Sequence, residues 1–107
     1  MKKKYSPSVS HDECTVRELR DDPEFAIEYL KVALEEIDEL GGQYVLLKAL
    51  KQIAEAQGVA KIAKAAGIPR ESLYRVLSPK GNPRLTTLLA VIKAMGLQVT
   101  VQPVHVK

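Results

Sequence analysis

Four polar residues near the middle of the chain have the types and the spacing of a hydrogen-bonding helix face. They are Arg70, Glu71, Tyr74 and Arg75, with Ser72 nearer the edge of the same face. Leu73, Val76 and Leu77 recur at helical spacing, so the polar residues are expected to point outward. Guanidinium and carboxylate groups on the outside of a helix suit entry into a DNA major groove. The alternative is an ordinary solvated face, which small helical domains often show.

Two short helices joined by a tight turn would position this face. The first helix has an apolar stripe at Ile62, Ala63 and Ala66. Gly67 follows it, at a place where the left-handed conformation is favourable only for glycine. Pro69 lies at or just before the first turn of the second helix, and Ser78-Pro79 ends that helix. The sequence therefore predicts a helix-turn-helix over about residues 58–78.

Charge is distributed unevenly along the chain. Residues 57–84 contain six basic residues and one acid, a net charge of +5, and the basic ones are Lys61, Lys64, Arg70, Arg75, Lys80 and Arg84. From His11 to Gly42 there are eleven acids and three basic residues, a net charge of −8. This asymmetry indicates a polyanion as a partner of the basic segment. The alternative is a chance segregation of surface charges.

Length and composition limit the kind of protein. A chain of 107 residues with 46% hydrophobic residues is expected to form one domain, over about residues 21–107, after a basic tail and lead-in in residues 1–20. No uncharged apolar run approaches the ~18 residues that span a bilayer, and residues 1–10 lack the apolar block of a signal peptide. The single cysteine, Cys14 in a polar segment, is expected to be incidental and fits a reducing cytoplasm.

An enzyme, a metal site and a cofactor are not expected. Ser72 and Ser78 have no nearby histidine, and the sequence contains no glycine-rich phosphate loop. The acids cluster on predicted helix faces rather than in an apolar pocket. His11 and His105 are far apart in sequence and have no cysteine or paired acids at ligand spacing.

Apolar periodicity predicts the helices that support the helix-turn-helix. One begins at Asp22-Pro23-Glu24, where the aspartate caps it and proline takes the first position, and it runs to Leu40 before Gly41-Gly42. Others are predicted from about Gln43 to Gln57 and from Thr86 to Met95. Residues 11–20 are predicted to be irregular or a short extended lead-in. The fold class is therefore mainly α, with five helices and one short strand at the carboxy terminus.

That strand is predicted over about residues 97–102. Leu97, Val99 and Val101 alternate with Gln98, Thr100 and Gln102 in this segment. No second strand is predicted, so its backbone groups lack a partner within the chain. The segment could lie loosely on its own domain, or it could pair with its copy in a second subunit. The second arrangement is favoured, with Leu97, Val99 and Val101 at a homodimer interface, because readers with one helix-turn-helix commonly bind two half-sites.

The predicted helix-turn-helix and its flanks resemble the Xre/Cro family of repressors, through the segment GVAKIAKAAGIPRESLYRVLSPKGNPRLTTLLAVIKAMGL. The resemblance is closer to the HigA-like antidote proteins of bacterial addiction modules, in which a D-P-E-x-A-x-x-Y-L segment precedes the same ending. Here that segment is DPEFAIEYL, and the resemblance covers about residues 15–101. It implies a lambda-repressor-like fold in an antitoxin that also represses its own operator, an inverted repeat in double-stranded DNA. The alternatives are a free-standing repressor without a toxin and a protein-interaction module that has lost DNA binding.

The resemblance also implies roles for individual residues. Base-reading residues would be Arg70, Glu71 and Arg75, at the first, second and sixth places of the recognition helix. Arginine can bond guanine bidentately, and Glu71 could accept from cytosine or orient an arginine. Tyr74, Lys80 and Arg84 would lie at the rim and contact phosphates. Many members have a phosphate-binding glutamine where this chain has Val59, so anchoring would come from elsewhere, such as the helix amino terminus or Lys61.

A toxin of the ribonuclease type, which the resemblance suggests as partner, would have a basic RNA-binding surface. The −8 segment from His11 to Gly42 is then the natural docking surface, through electrostatic complementarity. Candidate contact residues are Phe25, Glu28, Tyr29, Glu35 and Glu36, and either aromatic residue could be an anchor if the core does not need it. The alternative is that this helix is an ordinary amphipathic helix packed on the domain.

Overall fold

The computed structural model describes residues 11–104, which form six α-helices. The helices are α1 His11–Asp21, α2 Pro23–Glu35, α3 Gly42–Gln57, α4 Val59–Ala66, α5 Arg70–Val76 and α6 Leu85–Ala94. The prediction of five helices with a carboxy-terminal strand is therefore wrong. The lead-in forms an additional helix, and no strand occurs between residues 11 and 104. None of these helices is both long enough and apolar enough to cross a membrane.

Helix α1 replaces the predicted irregular lead-in, and it packs on α2 and α3. Cys14, Thr15 and Leu19 are buried on this helix, and the Thr15 hydroxyl donates to the carbonyl of His11 at 3.1 Å. Leu19 is the one large aliphatic residue among these three, so the buried face has no clear apolar stripe in the sequence. Cys14 was expected to be incidental, but its side chain is only 2% exposed and contributes to the interior.

Helix α2 begins where the sequence predicted and ends earlier. The Asp22 carboxylate accepts from the backbone N–H of Phe25 at 3.2 Å, which caps the helix before Pro23. The helix ends at Glu35 rather than Leu40, and a series of turns covers residues 36–41. Apolar residues continue at helical spacing through these turns, which is why the sequence predicted a longer helix. In the structure their side chains are exposed instead of facing the core.

Helix α3 is the centre of the fold. α1, α2 and α4 all pack on it, and α4 in turn packs on α5 and α6. Leu47, Leu50 and Ile53 are at most 1% exposed, so α3 carries some of the most deeply buried side chains of the described residues. Because α3 touches elements of both the amino-terminal and the carboxy-terminal parts, its core residues couple these two parts mechanically.

The segment after α6 does not form the predicted strand. The Leu97 N–H donates to the Ile92 carbonyl at 3.2 Å, and the Leu97 side chain packs against the core. Residues 97–100 and Gln102 then border a groove of about 350 Å³ that Ile27, Leu30 and Leu34 of α2 also line. A lone extended segment has no neighbour in the described residues that could complete a ladder of backbone hydrogen bonds. The alternating pattern thus indicates an inward-facing Leu97 followed by exposed residues, not a sheet.

Candidate nucleic-acid interface

The corner between α4 and α5 has the geometry that the sequence predicted. Gly67 has φ +75°, a left-handed conformation, and its N–H donates to the Lys64 carbonyl at 3.1 Å. The Ile68 N–H closes the turn on the Ala63 carbonyl at 3.0 Å. Nothing lies within 4 Å of where a Cβ would be on Gly67, so backbone conformation rather than space requires glycine here. The turn therefore fixes the direction in which α5 leaves α4.

Helix α5 is held by its inner face. Leu73 is 1% exposed and Leu77 2% exposed, and both belong to the same core cluster as Ile62 and Ala63 of α4. A small residue such as Ala63 lets two helices approach closely. Because these four side chains occupy the interior, the opposite face of α5 must point to solvent. This result agrees with the apolar and polar pattern of the sequence.

The outward face of α5 contains the predicted base-reading residues. Arg70, Glu71, Tyr74 and Arg75 are exposed, and Ser72 is half-buried at the edge. The Arg70 guanidinium carbon lies 5.9 Å from the centre of the Tyr74 ring, within cation–π range. The Arg75 Nη2 donates to the Ser72 hydroxyl at 3.2 Å. Within the part of the chain that the structure describes, neither guanidinium forms an ion pair, so both charges face solvent.

These two contacts give supporting residues a role that the sequence analysis did not assign. Ser72 and Tyr74 each lie three or four residues from the arginine they touch, which is the spacing of neighbours on a helix surface. That spacing is the signal from which their contacts with the arginines could be predicted. An arginine restrained by a neighbour loses less side-chain entropy on binding than a free one. Ser72 and Tyr74 therefore orient the arginines of this face.

Two of the predicted phosphate-contacting residues, Lys80 and Arg84, lie in the loop between α5 and α6. The Ser78 hydroxyl donates to the Arg75 carbonyl at 2.9 Å, and the Gly81 N–H donates to the Ser78 carbonyl at 2.8 Å. Lys80 lies in this turn, and its side chain is exposed. Arg84 is exposed at the residue just before α6. Both cations are thus carried by the backbone that directly follows α5.

Gln43 holds this loop in place, and the sequence analysis missed it. Its Nε2 donates to the Gly81 carbonyl at 3.1 Å, which connects the first turn of α3 to the loop that contains Lys80. The two residues are 38 positions apart in the chain, so no local pattern indicates the contact.

Fewer of the predicted DNA-contacting residues lie on α4 than on α5. Lys61 of α4 is exposed and available for a phosphate. Val59 is partly buried and packs against the core cluster, so it has a structural role at the place where a phosphate-binding glutamine was expected from the resemblance. Phosphate contacts from Lys61 and from the backbone at the start of α4 stay a prediction.

The predicted aromatic anchors for a protein partner are occupied within the fold. Phe25 and Tyr29 are half-buried with ring centres 5.5 Å apart. The Tyr29 hydroxyl donates to Gln52 Oε1 at 2.6 Å, and Gln52 Nε2 donates to Asp12 Oδ1 at 2.6 Å. Burial raises the pKa of Tyr29, and the negative charge of Asp12 raises it further. The Tyr29 hydroxyl thus connects α2 to α3, and Gln52 connects α3 to α1, while a role of Phe25 and Tyr29 in binding a partner stays a prediction.

The other predicted contact residues on the acidic segment, Glu28, Glu35 and Glu36, are exposed. The same segment has four exposed large apolar residues, of which Ile37 and Leu40 were expected on the inward apolar stripe: they are Ile27, Val32, Ile37 and Leu40. In residues 11–104, no group of three or more histidine, cysteine or acidic side chains is placed to hold a metal ion. His105, for which the sequence predicts no role as a metal ligand, lies outside the described residues.

Comparison with known proteins places this arrangement in a family. An uncharacterized protein of Haemophilus influenzae is 43% identical over 75 residues, which are 70% of this chain and 77% of that protein. No solved structure matches the chain. Residues 11–103 match the family described as "probable addiction module antidote protein". Since this match spans all six helices, the chain belongs to the family of probable addiction module antidote proteins.

Proposed function

We propose that this chain is an antitoxin that also binds operator DNA and represses its own module. Membership in the antidote family supports the antitoxin role and a cognate toxin as partner. The DNA-binding part rests on one observation, the outward face of α5. There Arg70 and Arg75 are exposed, unpaired by acids and restrained by neighbouring side chains, on a segment with net charge +5.

The side-chain chemistry of α5 and its flanks determines which DNA groups each residue contacts. Arg70 and Arg75 donate to guanine edges in the major groove, and Glu71 accepts from cytosine or orients an arginine. Lys61, Lys80, Arg84 and Tyr74 contact phosphates along the rim, which fixes the register of α5 on the duplex. Each phosphate contact releases counterions, so this part of the affinity falls steeply with salt.

The operator is an inverted repeat bound by a homodimer, because one α5 reads only one half-site. The dimer contact that we propose uses side chains of the carboxy-terminal segment rather than strand pairing. Val99 lines the groove against α2 and is 49% exposed, and Val101 is 96% exposed two residues later, whereas Leu97 packs against the core of its own chain. Burying both valines against a second copy would remove apolar surface from water.

The toxin partner is of the ribonuclease type, whose RNA-binding surface is basic. The acidic segment, residues 11–41, has net charge −8 and therefore attracts such a surface. Glu28, Glu35 and Glu36 are exposed on it and provide steering rather than most of the binding energy.

Two assays test the proposal. A gel shift with the DNA upstream of the gene, repeated from low to high salt, should show a specific complex that a variant with Arg70→Ala and Arg75→Ala does not form. Arg17, an exposed arginine of α1, supplies the matched control: Arg17→Ala should shift like the wild type.

Co-expression with the protein encoded next to this gene should restore growth that this neighbour alone stops. A complete absence of a DNA shift would remove the repressor part of the proposal. A DNA shift with no growth rescue would leave a repressor without a toxin partner.

A further inference from the structure

The turn between α2 and α3 contains a leucine whose side chain is not buried in the core. Leu40 is fully exposed, more so than any other large apolar residue of the described chain. Ile37 in the same turn is 39% exposed, and Val45 at the start of α3 is 47% exposed. An isolated exposed apolar residue is ordinary, but these three lie within nine positions of the chain, and we refer to them as the apolar patch.

The backbone of this turn is firmly held, so the patch is preorganised. Successive hydrogen bonds close it: the Ile37 N–H donates to Leu34 at 3.3 Å, the Glu39 N–H to Glu36 at 3.0 Å, and the Gly42 N–H to Glu39 at 2.8 Å, each to the carbonyl oxygen. A Cβ on Gly42 would overlap the Ile37 carbonyl oxygen, so the chain passes itself too closely for any other residue. A rigid protrusion pays less conformational entropy on binding than a mobile one.

The charges around the patch indicate what covers it. Glu35, Glu36, Asp38 and Glu39 are all exposed, and residues 35–42 contain no basic residue, which gives this turn a net charge of −4. A second copy of the chain would bring identical acids together across a symmetric contact, which is unfavourable. DNA would be repelled for the same reason. The complementary partner is a protein surface with an apolar pocket surrounded by lysine or arginine.

We propose that this turn is the docking site for the toxin and that Leu40 is its anchor. The proposal rests on the proposed function, since it takes the toxin to be a basic protein. It moves the contact from Phe25 and Tyr29, which are occupied within the fold, to Ile37, Leu40 and the acids around them. Leu40 fills the pocket of the partner, and the surrounding carboxylates pair with its rim.

The test is a titration of the full-length chain with the purified product of the neighbouring gene. Leu40→Ala should weaken binding by about tenfold to a hundredfold, the range of a dominant interface residue. Leu85 is the matched control because it is also a leucine with 68% exposure but lies at the start of α6. Leu85→Ala should bind like the wild type, and Leu40→Ile should retain most of the affinity.

A second pair of variants tests the charges. Glu39→Gln should weaken binding at low salt more than Glu28→Gln does, since Glu28 is exposed on α2 and outside the turn. Circular dichroism should show that every variant melts like the wild type, because the mutated side chains are exposed.

The outcomes separate the two proposals. Equal toxin affinity of Leu40→Ala and the wild type would overturn this docking site and leave the antitoxin proposal intact. Failure of the wild-type chain to bind the neighbour at all would overturn the antitoxin proposal and, with it, the docking site.

Discussion

Two regions of opposite charge use their polar side chains in opposite ways. The acidic region, residues 11–41, contains α1, α2 and the turn that follows, and the basic region, residues 58–84, contains α4, α5 and the loop before α6. In the acidic region, Asp22 caps a helix, and Tyr29 and Asp12 are tied to Gln52 of α3. In the basic region, Arg70 and Arg75 contact only their neighbours on α5 and face solvent.

The difference teaches that charge alone does not identify a binding surface. Several conspicuous polar and aromatic residues of the acidic region are committed to holding α1 and α2 on the core, so its free surface is smaller than the sequence suggests. The basic region buries Leu73 and Leu77 and leaves its polar residues available. Both regions pack on α3, so one core supports two surfaces of opposite charge.

The largest expected effect is on the free energy of unfolding, and it comes from a substitution in the core of α3, on which both regions pack. Leu50 of α3 has no exposed surface, so Leu50→Ala should lower the free energy of unfolding by about 2–5 kcal/mol through lost burial and a new cavity. Urea denaturation followed by circular dichroism measures this loss. Val32→Ala, at a residue that is 45% exposed, is the control and should change the free energy of unfolding by less than about 0.5 kcal/mol.

The number of unfolding transitions tests whether the acidic and basic regions unfold together. A single transition for the wild type and for Leu50→Ala is expected, since α3 couples the two regions. Separate transitions would mean that the basic region folds on its own and that the acidic region is an appended unit.

The next effect concerns the basic region alone. Arg75→Ala should weaken operator binding by about 1–3 kcal/mol and relax the preference at one base pair, because a bidentate contact is lost. Fluorescence anisotropy with a set of operators that each differ at one position measures both quantities. Arg17→Ala, in the acidic region, should leave both unchanged. A loss of the same size for Arg17→Ala would remove the distinction between the regions.

The sequence predicted the basic region better than the acidic one, for a physical reason. The corner at Gly67 and the ends of α5 depend on local backbone preferences. The positions of glycine and proline in the sequence indicate these preferences directly. The stripe through Leu73 and Leu77 has the helical period, so the outward residues followed from it. The start of α2 at Asp22 was predictable on the same local grounds.

The errors all concern features that tertiary structure decides. α1 was missed because it is stabilised by packing on α3 rather than by a strong stripe of its own. The alternating residues after Leu97 resemble a strand, yet no neighbouring segment between residues 11 and 104 completes a sheet. The hydrogen bond between Tyr29 and Gln52 could not be predicted either, because the two residues are 23 positions apart in the chain. Apolar spacing extended α2 to Leu40, whereas the chain turns after Glu35.

A smaller effect on the free energy of unfolding tests whether polar groups of the acidic region stabilise the fold. Tyr29→Phe removes the hydroxyl that donates to Gln52 and should cost about 0.5–1.5 kcal/mol of unfolding free energy at neutral pH. Operator binding by the folded protein should not change. Unfolding of both proteins in urea, compared at matched pH values, measures the difference.

The same residue predicts a dependence on pH. Burial raises the pKa of Tyr29 in the folded state above its ordinary value of about 10.0, so the unfolded chain loses this proton first as pH rises. The stability that Tyr29 contributes is therefore complete below about pH 10 and declines above it. The difference in stability between the wild type and Tyr29→Phe should shrink above that pH. A difference that grows there would mean that the phenolate is the stabilised form.

The smallest expected effect is on DNA affinity, and it distinguishes phosphate contacts from base contacts within the basic region. Lys80 lies in the turn after α5, which Gln43 and Ser78 hold, and its ammonium group is suited to a phosphate. Lys80→Ala should weaken binding only a few-fold at moderate salt, by a similar factor for every operator variant. The slope of log affinity against log salt should fall by about one, since about one counterion fewer is released. Lys31→Ala on exposed α2 is the control, because it removes the same charge from the acidic region and should leave the slope unchanged. A loss at Lys80 confined to particular bases would place this lysine in the groove, and equal slopes for both variants would show that net charge rather than position governs the contact.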